Sequence, residues 1–247
     1  MLPIQSSKSR FGFIDLQGKR VISPKFLDVG YFSHFDLAIA RIEENSETGI
    51  GYINKNGTVA IPPKFSLADD FSKCGLAAVA FGRSQNFMHG YIDIRGSTVI
   101  EPTFEDAQPF NDFNLAIVGR KNQHGCINPQ GEIVIPFVFQ RIGSFASNGL
   151  AKAKLDNFHG YINTRGEKMF APKYRLFDEF DDFGFALVQQ KGKYGYIDAN
   201  GELKIPCQYS DAGSFLGTGL AKVQIGKRWG FIDVKGNMPI PPTFNDV

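Results

Sequence analysis

Three histidines, His89, His124 and His159, follow one another at intervals of 35 residues. Imidazoles at matched places in successive units could share a transition metal or titrate together near neutral pH. His124 also lies two residues from Cys126, and on a strand two such side chains share a face. A thiol activated by an adjacent imidazole is the nucleophile of a cysteine hydrolase. Both chemistries need a further group. No carboxylate is tied to the histidines by spacing, and no residue is placed to orient His124. The favoured readings are therefore plainer: three flat, amphipathic fillers, and a small buried thiol at Cys126. No Ser-His-Asp arrangement, phosphate-cradling loop or H-E-x-x-H helix motif occurs. The chain is expected to be no enzyme and to use no cofactor or metal. A hydrolase built on Cys126 and His124 is the lesser alternative.

Recognition has better candidates. The stretch Arg41–Ile50 carries Glu43, Glu44 and Glu47, and the stretch Ala80–His89 carries Arg83, Gln85, Asn86, Phe87 and Met88. Each is longer than its counterparts in the rest of the chain. The two are consecutive, so they should be neighbours on one face, where loops on a rigid scaffold usually do their binding. The competing reading is drift in loop length, which costs little. A third departure is acidic: Asp178, Glu179, Asp181 and Asp182 crowd one connector. A solvated acidic loop is favoured there over a cation site.

Composition excludes several classes. The 247 residues include 27 basic and 25 acidic side chains, so no broad positive field invites nucleic acid or an anionic membrane. No apolar run approaches bilayer length, and the first ten residues lack the apolar stretch of a secretory signal. Cys74, Cys126 and Cys207 are odd in number and show no metal-ligand spacing, which suits a reducing cytoplasm. A monomer is expected.

These candidates are positioned by a repeat. Gly12, Gly51, Gly90, Gly125, Gly160, Gly195 and Gly230 mark seven units, and a period of this size signals a repeat architecture. An isoleucine follows each glycine by two residues. Between them stands an aromatic residue in six units and Cys126 in the other. A strand buried on both faces follows from that alternation. An Asx residue then opens a turn that a glycine closes three residues later, which is hairpin chemistry. The returning strand ends in proline and an aromatic, as in "AIPPKF" and "VIEPTF". A connector with a phenylalanine leads to a short strand such as "LAIA", and the N-terminal "LPIQ" matches that strand. Each unit reads as a three-stranded antiparallel meander that cannot bury its surface alone, so units must stack. The fold class is all-β, one domain over residues 1–247, with seven meanders closed as a seven-bladed, propeller-like ring. The connector is the candidate for a fourth strand. An open β-superhelix is the alternative, but the first and last units keep the apolar pattern that an open end would have to cap.

At "KRWGFIDVKGNMPIPPTF" (Lys227–Phe244) and "KYGYIDANGELKIP" (Lys193–Pro206) the chain resembles the WG-repeat family, bacterial tandem repeats named for a Trp-Gly pair. The likeness runs over essentially the whole chain. Trp229 alone keeps the tryptophan; Phe11, Ile50, His89, His124, His159 and Tyr194 replace it elsewhere. The resemblance implies an interaction or scaffold role without a general enzymatic activity. A protein partner held by the long hairpins is the expected function, with a small-ligand or glycan site as the alternative.

Overall fold

The computed structural model describes residues 1–44, 47–82, 87–170, 174 and 176–246. Among these, the chain is all β, in seven antiparallel sheets that coincide with the seven units. Sheet 1 holds β1 (Leu2–Gln5), β2 (Phe11–Ile14) and β3 (Arg20–Phe26). Sheet 2 holds β4 (Asp28–Val29), β5 (Leu37–Glu44), β6 (Glu47–Asn54) and β7 (Val59–Phe65). Sheet 3 holds β8 (Leu67–Ala68), β9 (Leu76–Phe81), β10 (Met88–Asp93) and β11 (Thr98–Phe104). Sheet 4 holds β12 (Asp106–Ala107), β13 (Ala116–Arg120), β14 (Gln123–Ile127) and β15 (Ile133–Phe139). Sheet 5 holds β16 (Arg141–Ile142), β17 (Leu150–Leu155), β18 (Phe158–Asn163) and β19 (Lys168–Phe170). Sheet 6 holds β20 (Leu176–Phe180), β21 (Ala186–Gln190), β22 (Lys193–Ile197) and β23 (Leu203–Tyr209). Sheet 7 holds β24 (Asp211–Ala212), β25 (Leu220–Ile225), β26 (Arg228–Asp233) and β27 (Ile240–Phe244). The connector does supply a fourth strand in sheets 2 to 7. The result is the strand order of a propeller blade, and the fold is propeller-like.

The column glycines have a cause the turn argument does not supply. Opposite Gly12, Gly51, Gly90, Gly195 and Gly230 the third strand carries extra residues in a bulge, as between Phe11↔Phe26 and Phe13↔Ile22. The bulge presses backbone onto the glycine. A Cβ on Gly90 would stand 2.5 Å from the Ile100 carbonyl oxygen, and one on Gly230 would stand 2.6 Å from that of Ile240. The prolines sit in the bulged strand, at the end of the sheet order, where a missing N–H leaves no ladder bond unmade.

The Asx turns close the hairpins as the sequence requires. Asp93 Oδ1 accepts from the N–H groups of Arg95 and Ser97 at 2.9 and 2.8 Å, and Asn128 Oδ1 does the same for Gln130 and Glu132. These oxygens are committed to backbone, and the turn needs nothing further from them.

The contacts gather into two compact bodies, Met1–Phe137 and Val138–Val247. In each, successive sheets bury one apolar layer between them. In the first body the layers centre on Phe13, Ile22 and Ile42, then on Tyr52, Phe65 and Ile92, then on Tyr91, Phe104 and Ile127. In the second they centre on Tyr161, Phe180 and Ile197, then on Tyr196, Tyr209 and Ile232. Alanine lies opposite isoleucine in the register, as in Ala77↔Ile92 and Ala221↔Ile232. Both residues are fully buried, so a larger side chain at the alanine would have no room.

A repeated contact locks sheet 2 to sheet 3, sheet 3 to sheet 4, sheet 5 to sheet 6 and sheet 6 to sheet 7. The buried tyrosine reaches the connector 17 residues on and donates to a backbone carbonyl. Tyr52 donates to Asp69 at 2.7 Å, Tyr91 to Gln108 at 2.8 Å, Tyr196 to Gly213 at 2.6 Å, and Tyr161 to Asp178. The connector phenylalanine then packs on the same ring, with centroids 4.9 Å apart for Tyr52–Phe71 and for Tyr91–Phe110, and 4.6 Å for Tyr161–Phe180. Each such ring pair is worth about 0.5–1.5 kcal/mol beyond area burial.

Candidate functional site

The two long hairpins are where the first body departs from its own repeat. β5 and β6 continue their ladder outward through Ile42↔Gly49, Glu43↔Thr48 and Glu44↔Glu47. β9 and β10 end at Phe81↔Met88 and are joined through residues 82–87. Between these extensions lies an open cleft of about 680 Å³. Arg41, Ile50 and Phe65 form the wall on sheet 2; Leu67, Gly82 and Phe87 form the wall on sheet 3. Phe65 continues inward to Phe81 in an edge-on contact at 5.3 Å, so the apolar floor is continuous with the core.

Sequence places these groups directly. Arg41 and Ile50 are cross-strand partners, and Ile50 in turn faces Phe65, so the three lie in one row across the sheet. The neighbouring Lys64 lines the cleft too, with its Nζ 3.3 Å from the Gly96 carbonyl and 5.4 Å from the Phe65 ring centre. Gly49 completes the cleft beside Pro63, whose backbone comes so close that a Cβ on Gly49 would collide with it. Ser66 Oγ donates to the Gly82 carbonyl at 2.5 Å, fixing the start of the sheet 3 connector against the base of the second hairpin.

Of the expected recognition residues, Glu47 and Phe87 line this cleft. Glu44 and Glu47 also border a shallower recess of about 390 Å³ with Pro62 and Pro63. Glu43 is turned to another task and pairs with Arg10 at 2.7 Å. Met88 is exposed and lies outside the cleft lining. Arg83, Gln85 and Asn86 fall outside the described residues. Sequence reading missed Lys64, Phe65 and Leu67, because they stand in regular repeat columns. Only the lengthened hairpins turn those positions into a cleft. The extra glycine in "TGIG" (residues 48–51) was the available signal for close backbone approach.

The histidines keep their matched positions, opposite Ala80, Gly119 and Lys154. His89 and His124 are half-buried and His159 is exposed. Among the described residues no group of three or more His, Cys, Asp or Glu side chains is arranged to hold a metal ion. Near His89, burial pushes the Asp69 carboxyl above the usual carboxylate range; Asp70 adds to this and His89 opposes it. Cys126 is fully buried, and desolvation pushes its thiol up to about 12. Burial thus opposes the thiolate that a hydrolase would need. The acidic connector is likewise structural at Asp181: Oδ1 accepts from Phe183 and Phe185, and Oδ2 accepts from Phe215 of the following connector, each at 3.0 Å. No helix among the described residues is long and apolar enough to cross a membrane.

Several solved structures resemble the chain at low identity. The crystal structure of a eukaryotic initiation factor superposes with a TM-score of 0.62 at 13% identity, covering 97% of this chain and 73% of that one. Hsv2 of Kluyveromyces lactis gives 0.41 at 12% identity, covering 81% and 71% of the two chains. A protein of unknown function from Bacteroides caccae gives 0.33 at 14%, covering 83% and 92%. At these identities the likeness extends to fold alone, and the two lower scores add nothing to it. No curated protein matches the chain. The sequence itself matches the WG containing repeat in seven successive stretches, residues 11–45, 50–82, 90–122, 125–157, 160–194, 194–229 and 229–247. The chain belongs to the WG containing repeat family.

Proposed function

We propose that this chain is a non-catalytic scaffold that holds a protein partner at the cleft between its two long hairpins. Repeat membership and a propeller-like fold support a binding module in general. The observation that carries the finer reading is the cleft itself: it lies where two neighbouring units are lengthened, and its apolar floor is bordered by Arg41, Lys64 and Glu47. Such a mixture of apolar floor and charged rim is the anatomy of a recognition surface.

The test is affinity capture from the native host with the wild-type chain and with a variant in which residues 43–48 and 82–87 are each replaced by Asn-Gly, a two-residue hairpin turn. A protein retained by the first and lost by the second, at equal far-ultraviolet circular dichroism, is the expected result. Equal retention by both would move the interface elsewhere, and turnover of a small molecule without any partner would overturn the scaffold reading. The cleft volume also lies in the range of small-ligand sites, which keeps a small-ligand or glycan reading as the second choice. A thermal-shift screen separates the two, because a tight ligand raises the melting temperature by mass action.

A further inference from the structure

From the cleft walls we infer the chemistry of the occupant: an extended peptide segment of the partner, with a large apolar or aromatic side chain next to a carboxylate. The inference rests on the scaffold reading above and narrows it. Three features of the cleft select this occupant.

The first is charge. Arg41 is exposed on the sheet 2 wall, and among the described residues no carboxylate pairs with it. Lys64 spends one contact on the Gly96 carbonyl and keeps further donors on its ammonium group. Both residues line the same cleft, and a carboxylate seated at Arg41 gains charge-assisted hydrogen bonds. The second is the apolar space. Ile50, Phe65, Leu67 and Phe87 bound it, and Phe65 is buried and held by its contact with Phe81, so a ring entering there meets a preformed surface. The third is bare backbone. Gly49 and Gly82 line the cleft without side chains, which lets another main chain lie close along it. An open cleft with this run of surfaces suits a chain that passes through it.

The probe is a phage-displayed library of random seven-residue peptides, selected on the full chain. Wild type should enrich sequences with an aromatic or large aliphatic residue beside Asp or Glu. A synthetic copy of the enriched peptide should bind Arg41→Glu at least tenfold more weakly. Selection on Arg41→Glu should enrich Lys or Arg at that place instead. Phe87→Ala should weaken the same peptide by a similar factor, and both side chains lie outside the core, so thermal unfolding should not change. Absence of enrichment, enrichment of basic sequences on wild type, or equal affinity for Arg41→Glu would each overturn the inference. So would a small ligand that binds the cleft and loses affinity in Arg41→Glu while the library yields nothing. A partner captured by wild type and lost on hairpin trimming would leave the scaffold reading standing even then, so the two failures are distinct.

Discussion

At the scale of single residues, the same letter does different work in different columns. Gly90 and Gly18 are both invariant parts of their unit, yet substitution should expose separate causes. A Cβ on Gly90 would press on the Ile100 carbonyl, whereas a Cβ on Gly18 meets nothing within 4 Å and is opposed only by a φ of 81°. Gly18→Ala should therefore cost about 1–2 kcal/mol, the penalty of a left-handed residue. Gly90→Ala should cost more, because the bulge must also move. Urea unfolding of the two variants checks the order; an equal loss would mean the bulge relaxes freely. The tyrosines make a similar point. Tyr91→Phe keeps the ring on Phe110 but leaves the Gln108 carbonyl without its donor, at a cost of about 1–3 kcal/mol. Sequence alone showed an aromatic column. It could not show why four members are tyrosine, because the acceptor belongs to the next unit's connector and carries no side-chain signature.

At the scale of elements, turns and strands were legible and the lining of the cleft was half so. Asx and glycine at fixed offsets predicted the turn into each returning strand, since that chemistry is local. The two-residue strands β4, β8, β12, β16 and β24 were harder to see: pairs such as Asp28–Val29 and Arg141–Ile142 share no side-chain type, and only backbone pairing defines them. The cleft followed a similar rule. Hairpin length, visible in the sequence, located it; its Lys64, Phe65 and Leu67 lining came from columns that look ordinary. This separation of core from extension carries a prediction. The ladder of β5 and β6 beyond Ile42 contributes exposed residues, Glu43 and Glu44, and no core side chain. Replacing residues 43–48 by Asn-Gly, which gives the partners Ile42 and Gly49 the two-residue turn they need, should leave the midpoint of thermal unfolding within a few degrees of wild type, because surface changes away from packed features stay within about 0.5 kcal/mol. A large loss would show that the Arg10–Glu43 pair, partly exposed as it is, ties sheet 1 to sheet 2 more strongly than such pairs usually do.

At the scale of the whole molecule, the repeated tyrosine clamp makes stability a collective function of pH. Burial is the leading cause that pushes Tyr52, Tyr91, Tyr161 and Tyr196 well above the usual phenol range, and nearby carboxylates add to it in all four. The neutral phenol is the form that fits, both in the apolar layer and as donor to the connector. The folded chain therefore holds its protons to higher pH than the unfolded chain, whose phenols titrate near pH 10. The stabilisation is complete below that pH and is lost as pH rises through the folded values. Each tyrosine adds a slope of about 1.4 kcal/mol per pH unit in this window. Two lie in each compact body, so each body should lose about 3 kcal/mol per unit, a large share of the usual 5–15 kcal/mol of a domain. Urea midpoints measured from pH 8 to pH 11.5 should hold steady and then fall steeply from about pH 10. Tyr91→Phe, starting lower, should show a shallower fall by one tyrosine's share. A midpoint that stays level to pH 11, or an unchanged slope in Tyr91→Phe, would mean that the clamps are not what joins one sheet to the next.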